Sequence, residues 1–210
     1  MPNWCSNGVR IRHSDPMKIK LLKDACLEEG FCNFAIPVPQ DLKDTIAGWS
    51  GDPVEQAENE RKEKANLAKY GVKNWYDFCV NQWGTKWDVQ FDSIDVSDDG
   101  LELTGSFESA WAPPVGAYDA LVANGYEVLG YYYEPGMCFV GKYEDGCDDC
   151  MEFGGETSTT VRDAIGEELD DYFCISEQMA EYEEENSEDD ELTEWYKEGV
   201  EQNNLEPHKV

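Results

Sequence analysis

Residues 87–143, which read WDVQFDSIDVSDDGLELTGSFESAWAPPVGAYDALVANGYEVLGYYYEPGMCFVGKY, decide the fold of this chain. Apolar and polar residues alternate on both sides of Asp98-Asp99-Gly100, and alternation around a turn sequence predicts a β-hairpin. Val115 to Ala123 is followed by a glycine and is typical of a short helix. Two aromatic, β-branched segments joined by a Pro-Gly turn predict two more strands, 126–134 and 137–143.

Upstream of this stretch the sequence predicts one strand, one helix and a long insertion. Residues 4–13 alternate as a strand does, and Ser14-Asp15-Pro16 opens a helix that ends at a glycine. We expect residues 31–39, which end in prolines, to be extended, and residues 41–83 to be a helical insertion. The order βα, insertion, ββαβ plus one strand predicts an α+β, ferredoxin-like split β-α-β sandwich over residues 1–143.

The chain is strongly and unevenly acidic. Its 210 residues carry 46 acidic and 16 basic side chains, which gives a formal net charge of −30. Residues 142–210 hold 24 of the acidic residues and only 4 of the basic ones. Direct binding of nucleic acid is disfavoured, because that affinity rests on cations that meet phosphates. The sequence has no apolar run of membrane-spanning length and no secretory signal, so we expect no membrane contact and a cytoplasmic protein.

Residues 144–210 are predicted to form an acidic, mainly helical C-terminal region. Thr160-Val161-Arg162-Asp163 has the form of a helix start, and apolar residues recur at three- or four-residue steps as far as Met179, apart from one skipped turn near Ser176. A second helix is expected to begin near Ser187. Ordinary solvent faces mix charges of both signs, whereas the face opposite these apolar residues is almost wholly acidic. We therefore predict a partner-binding acidic surface, made of Asp163, Glu167, Asp170, Glu177, Glu181, Glu184, Glu188, Asp189, Glu191 and Glu194.

Four blocks of the body carry a resemblance to a known family. They are MPNWCSN at residues 1–7, WGTKWD at 83–88, FESAWAPP at 107–114 and YYEPG at 132–136. On these blocks the chain resembles the YubB ferredoxin-like domain family over about residues 1–143. The resemblance implies a ferredoxin-like fold and an accessory protein of a conjugative plasmid or bacteriophage, acting in the cytoplasm of a bacterial host. It implies no established enzymatic activity, and the acidic region lies outside it.

The same blocks admit two interpretations of their large side chains. These side chains can line a pocket that stacks a planar ligand, or they can fill the core and set turns. The residues concerned are Trp4, Asn7, Trp87, Asp88, Trp111, Tyr132 and Glu134. No nucleotide-binding or hydrolase motif is present, so we expect no enzyme, no catalytic residue and no cofactor. Cys147 and Cys150 form a single C-x-x-C pair, which does not complete a zinc site, so no metal is expected.

The acidic surface leads to the functional hypothesis. A helix rises about 1.5 Å per residue, so acids every three or four residues, with neighbouring acids added, approach the charge spacing of one DNA strand. We hypothesise a non-enzymatic inhibitor that mimics DNA and occupies the basic nucleic-acid-binding cleft of a host defence or nucleic-acid-handling protein. The alternative is an interaction scaffold or small-ligand module that uses the aromatic blocks, with an acidic region that only confers solubility.

Overall fold

The computed structural model describes residues 3–186 and contains a six-stranded antiparallel sheet with several helices, so the predicted α+β class is confirmed. The strands are β1 (Trp4–Arg12), β2 (Phe91–Val96), β3 (Glu102–Ala110), β4 (Glu127–Glu134), β5 (Phe139–Glu144) and β6 (Cys147–Glu152). The helices are α1 (Pro16–Glu28), α2 (Phe31–Ala35), α3 (Gln40–Lys43), α4 (Pro53–Tyr70), α5 (Trp75–Trp83), α6 (Val115–Ala123), α7 (Val161–Ile165), α8 (Glu167–Phe173) and α9, the helical residues 175–186.

The sheet has the strand order β2-β3-β1-β4-β5-β6, and the paired strands run antiparallel throughout. The predicted hairpin of β2 and β3 is present, as are α6 and the strands on either side of the Pro-Gly turn. At the centre, Asn7 of β1 lies opposite Phe107 of β3 and Tyr132 of β4. β6 continues the sheet beyond residue 143 by pairing with β5.

The core lies between one face of the sheet and the helices α1, α2, α3, α5 and α6. β1 contributes every second residue to it, because side chains of a strand alternate between the two faces. α1 contributes positions spaced by three or four residues, which form one side of a helix. Asp15 accepts a hydrogen bond from the Met17 amide and caps α1, as Ser14-Asp15-Pro16 predicts. The largest fully buried core side chains include Ile11, Ile19, Leu22, Phe31, Leu42, Leu103, Phe107, Tyr118, Leu121 and Tyr143.

The prediction of an extended segment over residues 31–39 is wrong for its first half, which forms α2. The carboxylate of Asp88 accepts hydrogen bonds from the amides of Cys32 and Asn33, each at 2.8 Å. These amides are among the unpaired donors that begin every helix, so Asp88 stabilises a turn of helix that its local sequence does not predict. Gly30 precedes α2 with a φ of 103°, a conformation that suits glycine.

Helices α3, α4 and α5 occupy the region predicted as the insertion. Two asparagines of α4 are almost fully buried and hold neighbouring loops by hydrogen bonds. The Asn59 side chain accepts from the Ile46 amide at 2.8 Å and donates to the Ile46 carbonyl at 2.9 Å. Asn66 donates to the carbonyls of Asp41 and Lys73. The two asparagines therefore tie α4 to α3 and to the loops on either side of α4.

The chain divides into two compact units, Met1–Glu152 and a second unit that begins at Phe153. In the second unit the sequence predicts one helix from residue 160, whereas the structure contains α7, α8 and α9. Gly166, with φ 85° and ψ 155°, separates α7 from α8, and Cys174, in the left-handed region with φ 54°, separates α8 from α9. Within residues 3–186 no helix combines the length and apolarity needed to cross a bilayer.

Candidate functional site

The structure places those predicted acidic residues that it describes in two different settings. Asp163 of α7, Glu167 of α8, and Glu177, Glu181 and Glu184 of α9 are exposed. Asp170 is buried. The remaining predicted members, Glu188, Asp189, Glu191 and Glu194, lie outside the described residues.

The prediction that Asp170 belongs to an exposed acidic surface is wrong, because it is only 1% exposed. Its Oδ2 lies 2.8 Å from Nη1 of Arg162 and accepts from the Ser176 hydroxyl at 2.8 Å, while its Oδ1 accepts from the Ser176 amide at 2.7 Å. The break at Gly166 rotates α8 relative to the phase of a continuous helix, so Asp170 no longer lies on the solvent side.

Arg162 gathers two further carboxylates of α8. Its guanidinium lies 2.6 Å from Asp171 and 3.5 Å from Glu167, and these hydrogen bonds and charges raise the pKa of Arg162. Burial acts to raise the pKa of Asp170, but the hydrogen bonds from Ser176 and Arg162 outweigh it, so the net pKa is lowered. These contacts keep Asp170 ionised as a structural link between α7, α8 and α9. Part of the predicted acidic surface is therefore neutralised by the chain itself.

The acidic character that remains is concentrated on α9. Glu177, Glu181 and Glu185 are exposed and recur every four residues, which places them on one side of the helix. Glu183 points elsewhere, since its carboxylate accepts from the amide and the hydroxyl of Ser158 at 2.9 and 2.6 Å. Glu177, Glu181 and Glu185 therefore form a row of carboxylates with a spacing of about 6 Å along the helix axis. Such a row attracts a cationic surface and repels nucleic acid.

A second candidate site lies in the first unit and consists of aromatic rings around one lysine. The Nζ atom of Lys86 lies 4.4 Å from the ring centroid of Trp87, 5.2 Å from that of Trp111 and 5.6 Å from that of Tyr76. Trp4 lies beside Trp87, with ring centroids 6.3 Å apart. A cation within about 6 Å of an aromatic centroid is attracted by the ring. The three rings therefore hold the Lys86 ammonium at the surface.

Local structure fixes the position of Lys86. α5 ends at Trp83 and is capped by Gly84. The hydroxyl of the next residue, Thr85, donates to the Ala110 carbonyl at 3.0 Å and accepts from the Ala110 amide at 3.1 Å. This pair of hydrogen bonds ties the segment to the last residue of β3. Lys86 and Trp111, which follow Thr85 and Ala110, are consequently brought together.

Two hollows lie beside Lys86. Lys86, Trp75 and Trp87 line both of them. The larger has a volume of about 530 Å³ and includes Tyr76 in its wall, and the smaller has a volume of about 310 Å³ and includes Lys43. Together they are called the Lys86 cleft below. Ligand pockets have volumes of about 300 to 1,000 Å³ and combine aromatic walls with a few polar groups. The two hollows have volumes and linings in this range, and both are open to solvent.

Trp111 carries backbone strain at the edge of this group. Its φ is 72°, in the left-handed region that bulky residues avoid, at a cost of roughly 1–2 kcal/mol. Its amide donates to the Asn3 carbonyl at 2.9 Å, and 41% of the residue stays exposed. Strained residues of this kind concentrate at functional sites. The strain holds a large apolar ring at the surface, where it contributes little to the core.

The other residues of the aromatic blocks have structural roles. Asn7, Tyr132 and Glu134 are each at most 3% exposed, and so do not reach the surface near Lys86. Glu134 accepts from the amides of Gly136 and Met137, which stabilises the turn between β4 and β5. Burial raises the pKa of Asp88, against the hydrogen bonds that it accepts from the amides of Cys32, Asn33 and Val89. With its oxygens engaged in this way, Asp88 serves as a helix cap.

The cysteines offer neither a metal centre nor a reactive pair among the described residues. Burial raises the pKa of Cys5, Cys26 and Cys79 to about 12, which suppresses their thiolate forms. Cys147 and Cys150 lie three residues apart on β6, so they point to opposite faces at a separation of about 10 Å, too far for a disulfide. No cluster of three metal-binding side chains occurs within residues 3–186.

Sequence reasoning selected Trp4, Trp87 and Trp111 but missed Lys86 and Lys43. One signal was available for Lys86, which lies between Trp83 and Trp87 in a chain where cations are scarce. No local signal distinguishes Lys43, because it reaches the cleft only through the packing of α3 against α5.

Comparisons with known proteins leave the family open. No family model matches the chain, and none of the curated proteins matches it. Among solved structures, the crystal structure of the protein api92 from Yersinia pseudotuberculosis, of family DUF1281, is similar with a TM-score of 0.35 and 14% sequence identity. The similarity covers 74% of this chain and 99% of that chain.

Proposed function

We propose that this chain is a non-enzymatic accessory protein of a bacteriophage or plasmid that binds and inhibits a host protein through its acidic C-terminal helices. The partner is a defence or nucleic-acid-handling protein with a basic cleft for DNA or RNA. The acidic face of α9 occupies that cleft in place of a nucleic-acid strand and acts in the cytoplasm of the bacterial host.

The exposed carboxylate row on α9 is the observation that carries this proposal. Residues 153–186 contain eleven acidic residues and one basic residue, Arg162. Arg162 is engaged by three carboxylates of α8, so it does not neutralise α9. Like charges four residues apart cost about 0.2–0.5 kcal/mol per pair on a helix. Glu177, Glu181 and Glu185 form two such pairs, a cost that is relieved when a cationic partner binds.

The fold is the second element of the proposal. We infer a ferredoxin-like split β-α-β domain from the order β2-β3-β1-β4 in the sheet, with α1 between β1 and β2 and α6 between β3 and β4. The hairpin of β5 and β6 then extends one edge of that arrangement. Such a domain carries many unrelated functions, so it serves here as a stable body and does not specify the partner.

A charge-neutral variant of α9 tests the proposal. The triple variant Glu177→Gln, Glu181→Gln, Glu185→Gln removes three negative charges from the row and keeps helix propensity. A matched control, Asp24→Asn with Glu28→Gln and Glu29→Gln, removes the same charge from exposed positions at and beside the end of α1. Each tagged protein is used to capture partners from a bacterial lysate, with elution by duplex DNA or by increasing salt.

We expect the wild type and the α1 control to capture the same protein in equal amounts. Duplex DNA or increasing salt should release that protein. The α9 variant should capture at least tenfold less of it, since the α9 carboxylates form the contact. If capture is equal for all three proteins, or survives both competitors, the acidic face is not the binding site.

A further inference from the structure

We propose that the Lys86 cleft is a binding site for a small planar aromatic anion, a ligand whose ring stacks on tryptophan and whose charge is met by lysine. This site lies wholly within the first unit and is independent of the acidic partner surface. The ligand chemistry is that of a nucleoside monophosphate or an aromatic carboxylate.

The walls of the cleft favour a flat ring. Trp75 and Trp87 line both hollows, and Tyr76 adds a third ring to the larger one. Trp87 is 39% exposed, so its ring is open to a ligand. Stacking on an exposed aromatic side chain is tolerant of ring identity, because every planar ring presents a π-face.

The charge of the cleft favours an anion. Lys43 and Lys86 both line the smaller hollow, and within residues 3–186 neither lies in salt-bridge range of a carboxylate. Asp88, the acidic residue of the same wall, directs its carboxylate oxygens to the backbone amides of Cys32, Asn33 and Val89. Two lysines without a salt-bridge partner among the described residues therefore line one hollow in a chain with a net charge of −30.

The same geometry disfavours a cationic ligand. Aromatic cages bind quaternary ammonium groups when their interior is vacant. Here the Lys86 ammonium already lies among Trp87, Trp111 and Tyr76 and would repel a second cation. An anion gains from both elements, since Lys86 binds its charge and the rings orient Lys86.

Trp111 supplies an independent reason to regard the cleft as functional. A glycine at this position would adopt a φ of 72° without strain, yet the chain has an exposed tryptophan there. Trp111 contacts the Lys86 ammonium, so the strained backbone is used to position the cation. Trp111 is accordingly a positioning residue, and Lys86 and Trp87 are ligand-binding residues.

Titration of the full chain with four probes tests the ligand chemistry. Adenosine monophosphate and indole-3-carboxylate carry both a ring and a negative charge. Adenosine has only the ring, and choline has only a positive charge. Binding is followed by calorimetry and by tryptophan fluorescence. We expect at least one of the two aromatic anions to bind at least tenfold more tightly than adenosine and choline, and the stronger of the two identifies the anion source.

Substitutions in the cleft connect binding to the residues. Lys86→Met keeps the length and apolar stem of the side chain, removes its charge, and should weaken anion binding by about tenfold or more. Lys64→Met, a matched loss of charge on the exposed side of α4, should have no effect. Trp111→Gly removes the backbone strain together with the partly buried ring, so its binding is measured well below its own melting temperature, with the fold checked by circular dichroism. Weaker anion binding by the folded variant is an outcome that a purely structural tryptophan does not produce.

Two results would overturn the proposal. One is that neither aromatic anion shows saturable binding in the titration. The other is that Lys86→Met and Lys64→Met bind an aromatic anion equally well. Tighter binding of choline than of either anion would refute the proposal as well, because it would show that the cleft binds cations.

Discussion

Replacing Asp170 by alanine should detach the start of α9 from α8. The substitution removes three hydrogen bonds, two from Ser176 and one from Arg162, whose lengths are 2.7 to 2.8 Å. Asp170 is the least exposed carboxylate of α8, and its bonds join residues from α7, α8 and α9. The effect should therefore be felt as a loss of order in α9, rather than only as a change in surface charge.

The size of the effect follows from the individual contacts. Loss of the bond to the Ser176 amide resembles loss of a helix cap, about 1 kcal/mol, and loss of the bond to the Ser176 hydroxyl costs a similar amount. The contact with Arg162 adds little, because the Arg162 side chain is 41% exposed and keeps Asp171 as a partner. Asp170→Ala should thus destabilise α9 by about 2 kcal/mol, or increase amide exchange by roughly 30-fold.

Hydrogen exchange resolved to residues 175–186 measures this change directly. The matched control is Asp171→Ala, which removes a carboxylate from the same arginine but from a side chain that is 66% exposed. It should accelerate exchange by about twofold, as expected for a surface pair. If the two variants accelerate exchange in α9 equally, the burial and the helix-capping role assigned to Asp170 are wrong.

The pH dependence of the stability difference between wild type and Asp170→Ala tests whether Asp170 stabilises the fold in its ionised form. The pKa of Asp170 is lowered from its ordinary value of 3.8 in the folded protein. A carboxylate of this kind contributes stability above its unfolded pKa and loses it as pH falls through the folded pKa. The difference between wild type and Asp170→Ala should be constant from about pH 8 to pH 5 and should shrink below about pH 4. A difference that grows on acidification contradicts this reasoning.

Two further substitutions test how the first unit is held together. Gly30→Ala combines a φ of 103° with a methyl group directed at the Asp88 carboxylate, so it should lower the free energy of unfolding by about 3 kcal/mol or more. The Gly30→Ala substitution should cost less stability in a protein that already carries Asp88→Ala. If thermal melts show that the costs of the two substitutions simply add, the methyl group introduced by Gly30→Ala does not contact the Asp88 carboxylate. Asn59→Leu leaves the amide and carbonyl of Ile46 unpaired and should cost about 2 kcal/mol in urea unfolding, whereas a neutral result would mean that water replaces both bonds.

The parts of the fold that were predictable from sequence depend on local signals. The hairpin of β2 and β3 follows from period-two alternation around Asp98-Asp99-Gly100, and α1 follows from Asp15-Pro16 and its apolar spacing. α2 was not predictable in this way, because the carboxylate that caps it lies 55 residues further along the chain. Long-range capping leaves no trace in the local pattern.

The acidic region illustrates a different limit of sequence reasoning. Assigning faces requires a constant helical phase, and the phase is lost wherever the helix breaks. Gly166 gave a signal for the first break, since glycine is unfavourable inside a helix. Cys174 gave no signal for the second break. A cysteine seldom adopts the left-handed conformation, so its presence in the sequence does not indicate that a helix ends there. The error at Asp170 follows from treating α7 and α8 as one helix.

The net charge of −30 does not by itself decide what the Lys86 cleft binds. At physiological ionic strength charges are screened over about 8 Å, so an anion in the cleft responds mainly to Lys43, Lys86 and the rings beside them. If these local cations dominate, added salt weakens the binding of an aromatic anion. If the distant carboxylates dominate, salt relieves a repulsion and binding becomes tighter. Nonspecific stacking of an anion on an exposed tryptophan corresponds to the second case, because no local cation then offsets the distant carboxylates. The sign of the salt dependence therefore separates a cationic site in an acidic protein from such nonspecific stacking.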